Sequence, residues 1–439
     1  MIRTGRPHAD MKCRPPVLLF AAFLAARAAA MDPAEKMQFA DGLYVRGLYD
    51  MAVKEYLLIA RDAPRFESLE TVLFRIGECY FKLDQGPLAD RFYRRVSAEY
   101  PGGRFRHRAD LRRAELLING AQYEAAAQAL RSALESGPPD EIAAGARYYL
   151  GHSLARSGRP DEAEQPLREV VTRHEASPYA SYAALELAEI LGAKPGRGDE
   201  RADLCRRAAE HPATPRLGAE ALFQWGRIEF ERADYAESAK AYTRLLQEYP
   251  RDERAGEARL QAAWSLDHTG QAQAALDLAN ARASAFGADA ESWLYLRANC
   301  ERQLGKTADA LATYDELAGR YPGGPLASAA RYEQALIRFR AGEFEAVLRL
   351  LPAAGAGGAI EEDACLLRAE SHAELKQDAE AIRFFRMLAE KFPDSPRAAP
   401  ALFRAAQRVQ EGGDLDAASA AYRELAGKHP DHEDRKSVV

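Results

Sequence analysis

Small and large apolar positions return along this chain with a long period. Ala40, Gly77, Ala114, Gly151, Ala188, Gly226, Ala263, Ala298, Ala335, Ala369 and Ala406 form one series, mostly 37 residues apart, and every member is small. Twelve residues on, Ala52, Ala89, Ala126, Ala163, Glu200, Ser238, Ala275, Ala310, Val347, Ala381 and Ala418 form a second series, small except at Glu200 and Val347. Four residues further stand Tyr56, Tyr93, Leu130, Leu167, Leu204, Tyr242, Tyr314, Leu351, Phe385 and Tyr422, all large, with Ala279 the weak member. Eight residues after these, Pro64, Pro101, Pro138, Pro212, Pro250, Pro322, Pro393 and Pro430 close the beat.

Within one beat the spacing is helical. Leu73, Ile76, Gly77 and Tyr80 follow the i, i+3, i+4, i+7 pattern of a buried helix face, and Ala89, Phe92, Tyr93 and Val96 repeat it. Two small positions twelve apart mark where a pair of helices presses together, and the large residue fills the space they leave. Proline cannot continue a helix and pushes the residue before it out of the α region, so each beat ends on a helix stop. Leu83–Gly86, Ser157–Pro160 and Gly412–Asp414 read as the turns inside pairs. No sustained period-two alternation points to strands. Eleven helix pairs are expected between Ala40 and Pro430.

This pattern resembles the tetratricopeptide repeat, a helix-turn-helix unit of roughly 34 residues that stacks into a solenoid. The resemblance implies an all-α, right-handed α-solenoid over residues 33–430. One pair cannot bury its apolar stripe alone, so stability is a sum over repeats and their interfaces. Two glycine-rich stretches, 192–200 and 352–358, are expected as longer turns and hinges.

Composition narrows function more by exclusion. A net charge of -6 and a pI near 6.0 argue against nucleic-acid binding. The cluster Arg104, Arg106, His107, Arg108, Arg112, Arg113 reads as a solvated helix start or a local anion patch. Residues 17–26 are uniformly apolar, follow Met11, Lys12 and Arg14, and precede the small residues Ala28 to Ala30. That is the layout of a secretory signal, expected to span residues 1–30, and ten apolar residues are too few to cross a bilayer, which takes about 20. Cys13 precedes the apolar stretch, so a lipid anchor is not expected. Cys79, Cys205, Cys300 and Cys365 fall in repeats two, five, eight and ten, too far apart in a solenoid for disulfides. The tail 431–439 ends in Asp434-Arg435-Lys436-Ser437-Val438-Val439, which one reading frame of a common sequencing-adapter oligonucleotide encodes. Residues 434–439 read as a non-native scar with the natural chain continuing beyond 433, the alternative being a frayed native tail.

Catalytic chemistry finds no purchase. The histidines are scattered, no His-Glu-x-x-His or paired-cysteine spacing offers a metal site, and no Lys-Ser or Lys-Thr follows the glycines at 352–358. No catalytic residue, cofactor or metal is expected. The tetratricopeptide resemblance implies instead that the first helix of each pair lines a concave groove receiving other proteins or peptide segments. Carried over by position, the partner-binding candidates are Phe74, Glu78, Phe81, Lys82, Tyr148, His152, Phe223, Arg227, Phe230, Trp264, His268, Tyr295, Asn299, Tyr332 and Phe339. Each aromatic is equally a candidate for interhelix core.

A narrower resemblance sits at the joints. Lys391-Phe392-Pro393-Asp394-Ser395-Pro396-Arg397-Ala398-Ala399, Tyr321–Ala327 and Ala176–Ala180 are similar to the aromatic-Pro-x-Ser-Pro-x-Ala joint of cell-envelope repeat proteins. Those include the Tol-Pal-associated coordinator and the repeat lipoprotein of the outer-membrane β-barrel assembly machinery. The coiled-coil arm of the first and the lipidated cysteine of the second are missing here. Together these readings imply an exported, periplasmic, non-enzymatic scaffold of envelope assembly or division, meeting membranes only through partners. The alternative is an accessory region of a secretion system or of a larger enzyme truncated at its C-terminus.

Overall fold

The computed structural model describes residues 32–280, 289–351 and 360–428. The signal at 1–30, the glycine stretch 352–358 and the tail 431–439 lie outside the described residues. Among those described there are 22 helices and no strands, and they pair in chain order. Repeats one to five are Pro33–Val45 with Tyr49–Asp62, Leu69–Lys82 with Gly86–Glu99, Arg106–Asn119 with Tyr123–Glu135, Asp140–Arg156 with Pro160–Arg173, and Tyr179–Leu191 with Gly198–Glu210. Repeats six to eleven are Pro215–Glu231 with Tyr235–Glu248, Ala255–His268 with Ala272–Asn280, Ala290–Gln303 with Thr307–Arg320, Ala327–Arg340 with Phe344–Leu350, Glu361–Glu374 with Asp378–Lys391, and Ala398–Glu411 with Leu415–Lys428. Below, the first helix of a pair is helix A and the second helix B. The fold class is the expected one, an all-α solenoid of helix pairs. It falls into two compact units, Met1–Trp225 and Gly226–Val439, divided within helix A of repeat six rather than at either glycine-rich stretch.

The three periodic series build the core. All eleven small helix-A positions are buried, as are the helix-B positions twelve residues on, Glu200 excepted. The large residues from Tyr56 to Phe385 are buried with them, while Tyr422 is half-buried. Glycine shows why small size matters: a Cβ on Gly77 would lie 2.6 Å from Tyr93 Cε1, on Gly151 2.5 Å from Leu167 Cγ, and on Gly226 2.8 Å from Tyr242 Cε2. Helix A therefore approaches the large residue of its own helix B closely enough to leave no room for a methyl group.

Each A-to-B turn places one residue in the left-handed region. Gly47, Gly158, Gly196, Gly270, Gly305, Gly342 and Gly413 do so at no steric cost, whereas Asp84, Ala121, Ala233 and Lys376 take the same conformation with φ of 55–60°. The turn closes helix A with paired backbone bonds, such as Gly47 N to Tyr44 O and Leu48 N to Leu43 O.

One detail departs from the sequence reading. In repeat five the turn occupies residues 192–197 and Gly198 already opens helix B. The longer turn slips the register by one residue: Arg201 takes the usual small position and donates to the Ala188 carbonyl at 3.2 Å, and Cys205, not Leu204, takes the place of the large residue. Lys194 ties this turn down by pairing with Asp161 and Glu164. At the joint before repeat eleven, the helix begins at Ala398, so Ser395 stands two residues before the N-cap. There it accepts from the Arg397 N–H at 3.1 Å and donates to Glu362.

Candidate functional site

Helices A touch one another from repeat to repeat, through repeats three, four and five, at seven and eight, and at nine and ten. They form a common face in each unit, and charges bind it together. Arg75 of repeat two pairs with Asp41 of repeat one at 3.8 Å, Arg112 of repeat three with Glu78 of repeat two at 2.8 Å, and His152 of repeat four with Glu186 of repeat five at 2.9 Å. In the second unit Arg302 pairs with Glu333 at 3.4 Å, and Arg404 with Glu370. Most of these rungs join residues 34 apart, the sequence signal that would have revealed them. Two of the acceptors are shared with the core, where the Tyr56 hydroxyl donates to Asp41 and Tyr93 to Glu78 at 2.6 Å, and in the same register Tyr314 donates to Asn299.

Several candidates are thereby occupied. Glu78 is only 6 % exposed, held between Tyr93 and Arg112, and Asn299 at 8 % accepts from Tyr314. Phe74 is buried with its ring stacked 4.6 Å from Phe105 of the next repeat, and Phe223 is 9 % exposed. Phe81 is half-buried beneath the Arg112 guanidinium, 5.1 Å from its ring centre, whereas Lys82 and Arg227 reach solvent. The arginine cluster after Pro101 is largely engaged too: Arg104 donates to Thr71, Arg106 to the Pro101 carbonyl and Arg112 to Glu78.

The remaining aromatics gather into two groups. In the first unit Tyr148 lies 5.2 Å from Tyr149, 5.6 Å from Tyr179, 5.8 Å from Tyr182 and 6.1 Å from His152. Gly145 makes the space for Tyr179, since a Cβ there would stand 2.9 Å from that ring. Burial and then the charge of Glu186 hold the Tyr148 hydroxyl above the ordinary tyrosine range, so it stays a neutral hydrogen-bonding group.

In the second unit the strip runs through three repeats. Phe230 lies 5.3 Å from Tyr235 and 6.2 Å from His268, Tyr235 lies 4.2 Å from His268, and Trp264 lies 6.1 Å from His268 and 6.2 Å from Tyr295. Phe230, Trp264 and Tyr295 are half-buried and His268 is exposed. The His268 Nδ1 lies 2.8 Å from the Trp264 carbonyl, which can only accept. Nδ1 therefore donates to that carbonyl, and Nε2 is the ring's other polar atom, at the middle of the strip. Burial raises the pKa of the Tyr295 hydroxyl, with the Glu333 charge adding to it. Tyr332 and Phe339 stand apart from this strip: Tyr332 is half-buried, and Phe339 borders a groove of about 400 Å³ with Glu370, Glu374, Arg404, Arg408 and Glu411.

Sequence reasoning missed Tyr235. It opens helix B five residues after Phe230, and the same five-residue pair recurs as Tyr44–Tyr49 and Phe339–Phe344, each edge-on at 5.2 to 5.3 Å. The four described cysteines are buried and none is in a disulfide, and Cys79 and Cys300 occupy the helix-A position that holds Ser153, Ser265 and Ser371 elsewhere. Among the described residues no helix is long and apolar enough to cross a membrane.

Half-buried aromatic faces and a polar imidazole edge, set on rigid helices, can hold an extended polypeptide. Solved structures similar to this chain include the C-terminal part of a tetratricopeptide-repeat protein from Cytophaga hutchinsonii, at 13 % identity and TM-score 0.41 over 58 % of this chain and 98 % of that one. Another is YrrB, described as a tetratricopeptide-repeat protein with an unusual peptide-binding site, at 15 % identity and TM-score 0.35 over 46 % and 97 %. A third is a tetratricopeptide-repeat protein from Parabacteroides merdae, at 14 % identity and TM-score 0.33 over 70 % and 98 %. No curated protein matches. Two family models of the tetratricopeptide repeat match, one at residues 111–181, 273–325 and 295–346 and the other at 71–103, 220–252 and 363–395, together more than half of the sequence. The chain is a tetratricopeptide-repeat protein.

Proposed function

We propose that this protein is an exported, non-enzymatic scaffold of the bacterial envelope that holds partner polypeptides on the helix-A face of repeats six to eight. The observation that carries the binding reading is the strip Phe230, Tyr235, His268, Trp264 and Tyr295, in which four rings are half-buried and His268 is exposed. Such aromatics are over-represented among interface hot spots, and they suit an extended segment with apolar side chains and a backbone polar group for His268 Nε2. Export rests on the apolar residues 17–26 behind a basic start, and the envelope on the Phe-Pro-Asp-Ser-Pro-Arg-Ala joint at 392–398. The leader is removed near Ala28 or Ala30, no lipid is attached, and the mature chain works in the periplasm.

Phe230→Ala combined with Trp264→Ala tests the binding face. Capture of partners from an envelope extract should fall by more than about 2 kcal/mol equivalent, the hot-spot scale, while the thermal melt stays close to wild type. A lowered melt with capture retained in the cold would mean that these rings serve the core and that binding lies elsewhere.

A further inference from the structure

Every internal helix A has one face that meets the preceding repeat. In repeat two it carries Val72, Ile76 and Cys79, and in repeat seven Ala258, Ala262 and Ser265, all fully buried. The same positions in repeat one are Glu35, Phe39 and Gly42, followed by Arg46, and all four are exposed. Spaced i, i+4, i+7 and i+11, they form a single stripe along helix Pro33–Val45 and its C-cap. Terminal repeats of solenoids ordinarily turn a polar face outward. Here Phe39 is 49 % exposed at the centre of the stripe, and a Cβ on Gly42 would meet nothing within 4 Å, so the glycine leaves an open hollow beside it. Neither Glu35 nor Arg46 has an ion-pair partner among the described residues.

The stripe is complementary to itself. When two such helices pack antiparallel about a twofold axis, residue numbers on facing positions have a constant sum, and the sum that sets Glu35 against Arg46 also sets Phe39 against Gly42. One arrangement thus satisfies both charges twice and places each ring over the other helix's glycine, as an isologous interface requires. We propose that helix A of repeat one is a self-association face, on which a second copy of this chain packs antiparallel with Phe39 over Gly42 and Glu35 beside Arg46. One helix pair buries less than the roughly 1,200 Å² of a standard interface, so the dimer forms and dissociates with protein concentration.

Sedimentation of the purified protein across a dilution series, to about 100 µM, reads this directly; transient interfaces of this size reach micromolar dissociation constants. Wild type is expected to pass from monomer to dimer. Glu35→Arg alone and Arg46→Glu alone should each weaken the dimer about tenfold, because each converts two attractions into two repulsions, and the double exchange should restore it. Phe39→Asp should leave a monomer with unchanged helical circular dichroism. A wild type that stays monomeric, or a double exchange no better than the singles, overturns the proposal. A cover supplied by residues 1–31 of the same chain, or by a different protein, would give the first of these results; mere stabilisation of the helix's own dipole would give the second.

Discussion

Gly77→Ala probes the packing that defines the repeat. The added Cβ would stand 2.6 Å from Tyr93 Cε1, 2.8 Å from Cδ1 and 3.1 Å from Cζ. That ring cannot simply retreat: it is fully buried, lies 5.8 Å from the Phe74 ring, and its hydroxyl donates to Glu78, which in turn holds Arg112. Overpacking of this kind costs about 1–3 kcal/mol, while alanine's better helix propensity returns about 1 kcal/mol. Ala40 and Ala298 occupy the same register ahead of Tyr56 and Tyr314, so a small spreading of the helices accommodates the methyl group. A net loss of about 1 kcal/mol is therefore expected for Gly77→Ala. Gly77→Ala with Tyr93→Leu reproduces the Ala114 and Leu130 pair of repeat three, so the double mutant should lose at least 1 kcal/mol less than the sum of the singles, beyond the additivity error of about 0.5 kcal/mol. Hydrogen exchange of residues 69–99 under mild denaturant measures each variant locally. Additive losses, or exchange raised equally in distant repeats, would refute the reasoning.

Ala121→Gly should stabilise the protein by up to about 1 kcal/mol in chemical denaturation, because alanine holds a φ of 55° there; a loss would mean that the turn carries no strain. Burial raises the Asp267 carboxyl above the ordinary aspartate range, against the opposing bonds from Cys300 and Gln303. The fold therefore favours its protonated form, a contribution present in acid and lost as pH climbs from the ordinary aspartate range through the raised value. Asp267→Asn keeps both acceptor contacts, so its melting temperature should exceed wild type at neutral pH and converge on it in acid, and a gain equal at all pH values would contradict this. Burial also pushes the Cys79 thiol up to about 12 and the Cys365 thiol to about 11, with Cys300 raised as well. Iodoacetamide at mildly alkaline pH should label these three only as the protein unfolds, and rapid labelling of the native chain would show them accessible.

The fold was legible because the requirement repeats. A helix pair that must bury Tyr93 against Gly77 sets the same constraint at Tyr242 and Gly226, and a single sequence then contains many independent samples of it. Repeat five escaped because its turn carries extra residues, so counting from one end placed Glu200 where Arg201 stands. The face of helices A was only partly legible. Phe74, Tyr148, Phe223, Tyr295 and Tyr332 share one register position, yet Phe74 is buried and Tyr295 half-open. What covers that position comes from the neighbouring repeat: Phe105 lies on Phe74, and no period within one repeat reports it. The polar rungs were hidden for a related reason, since their 34-residue spacing runs between helices A and falls short of the 37-residue beat.

The binding face can be tested in living cells by placing a photoreactive phenylalanine at single positions and irradiating. Tyr235 and His268 lie on the aromatic strip, whereas Lys240 and Ala312 are exposed on helices B of repeats six and eight. A discrete cross-linked partner is expected from positions 235 and 268 and none from 240 and 312. Cross-links confined to 240 and 312, or none from the strip in the native cell, would contradict binding on the strip.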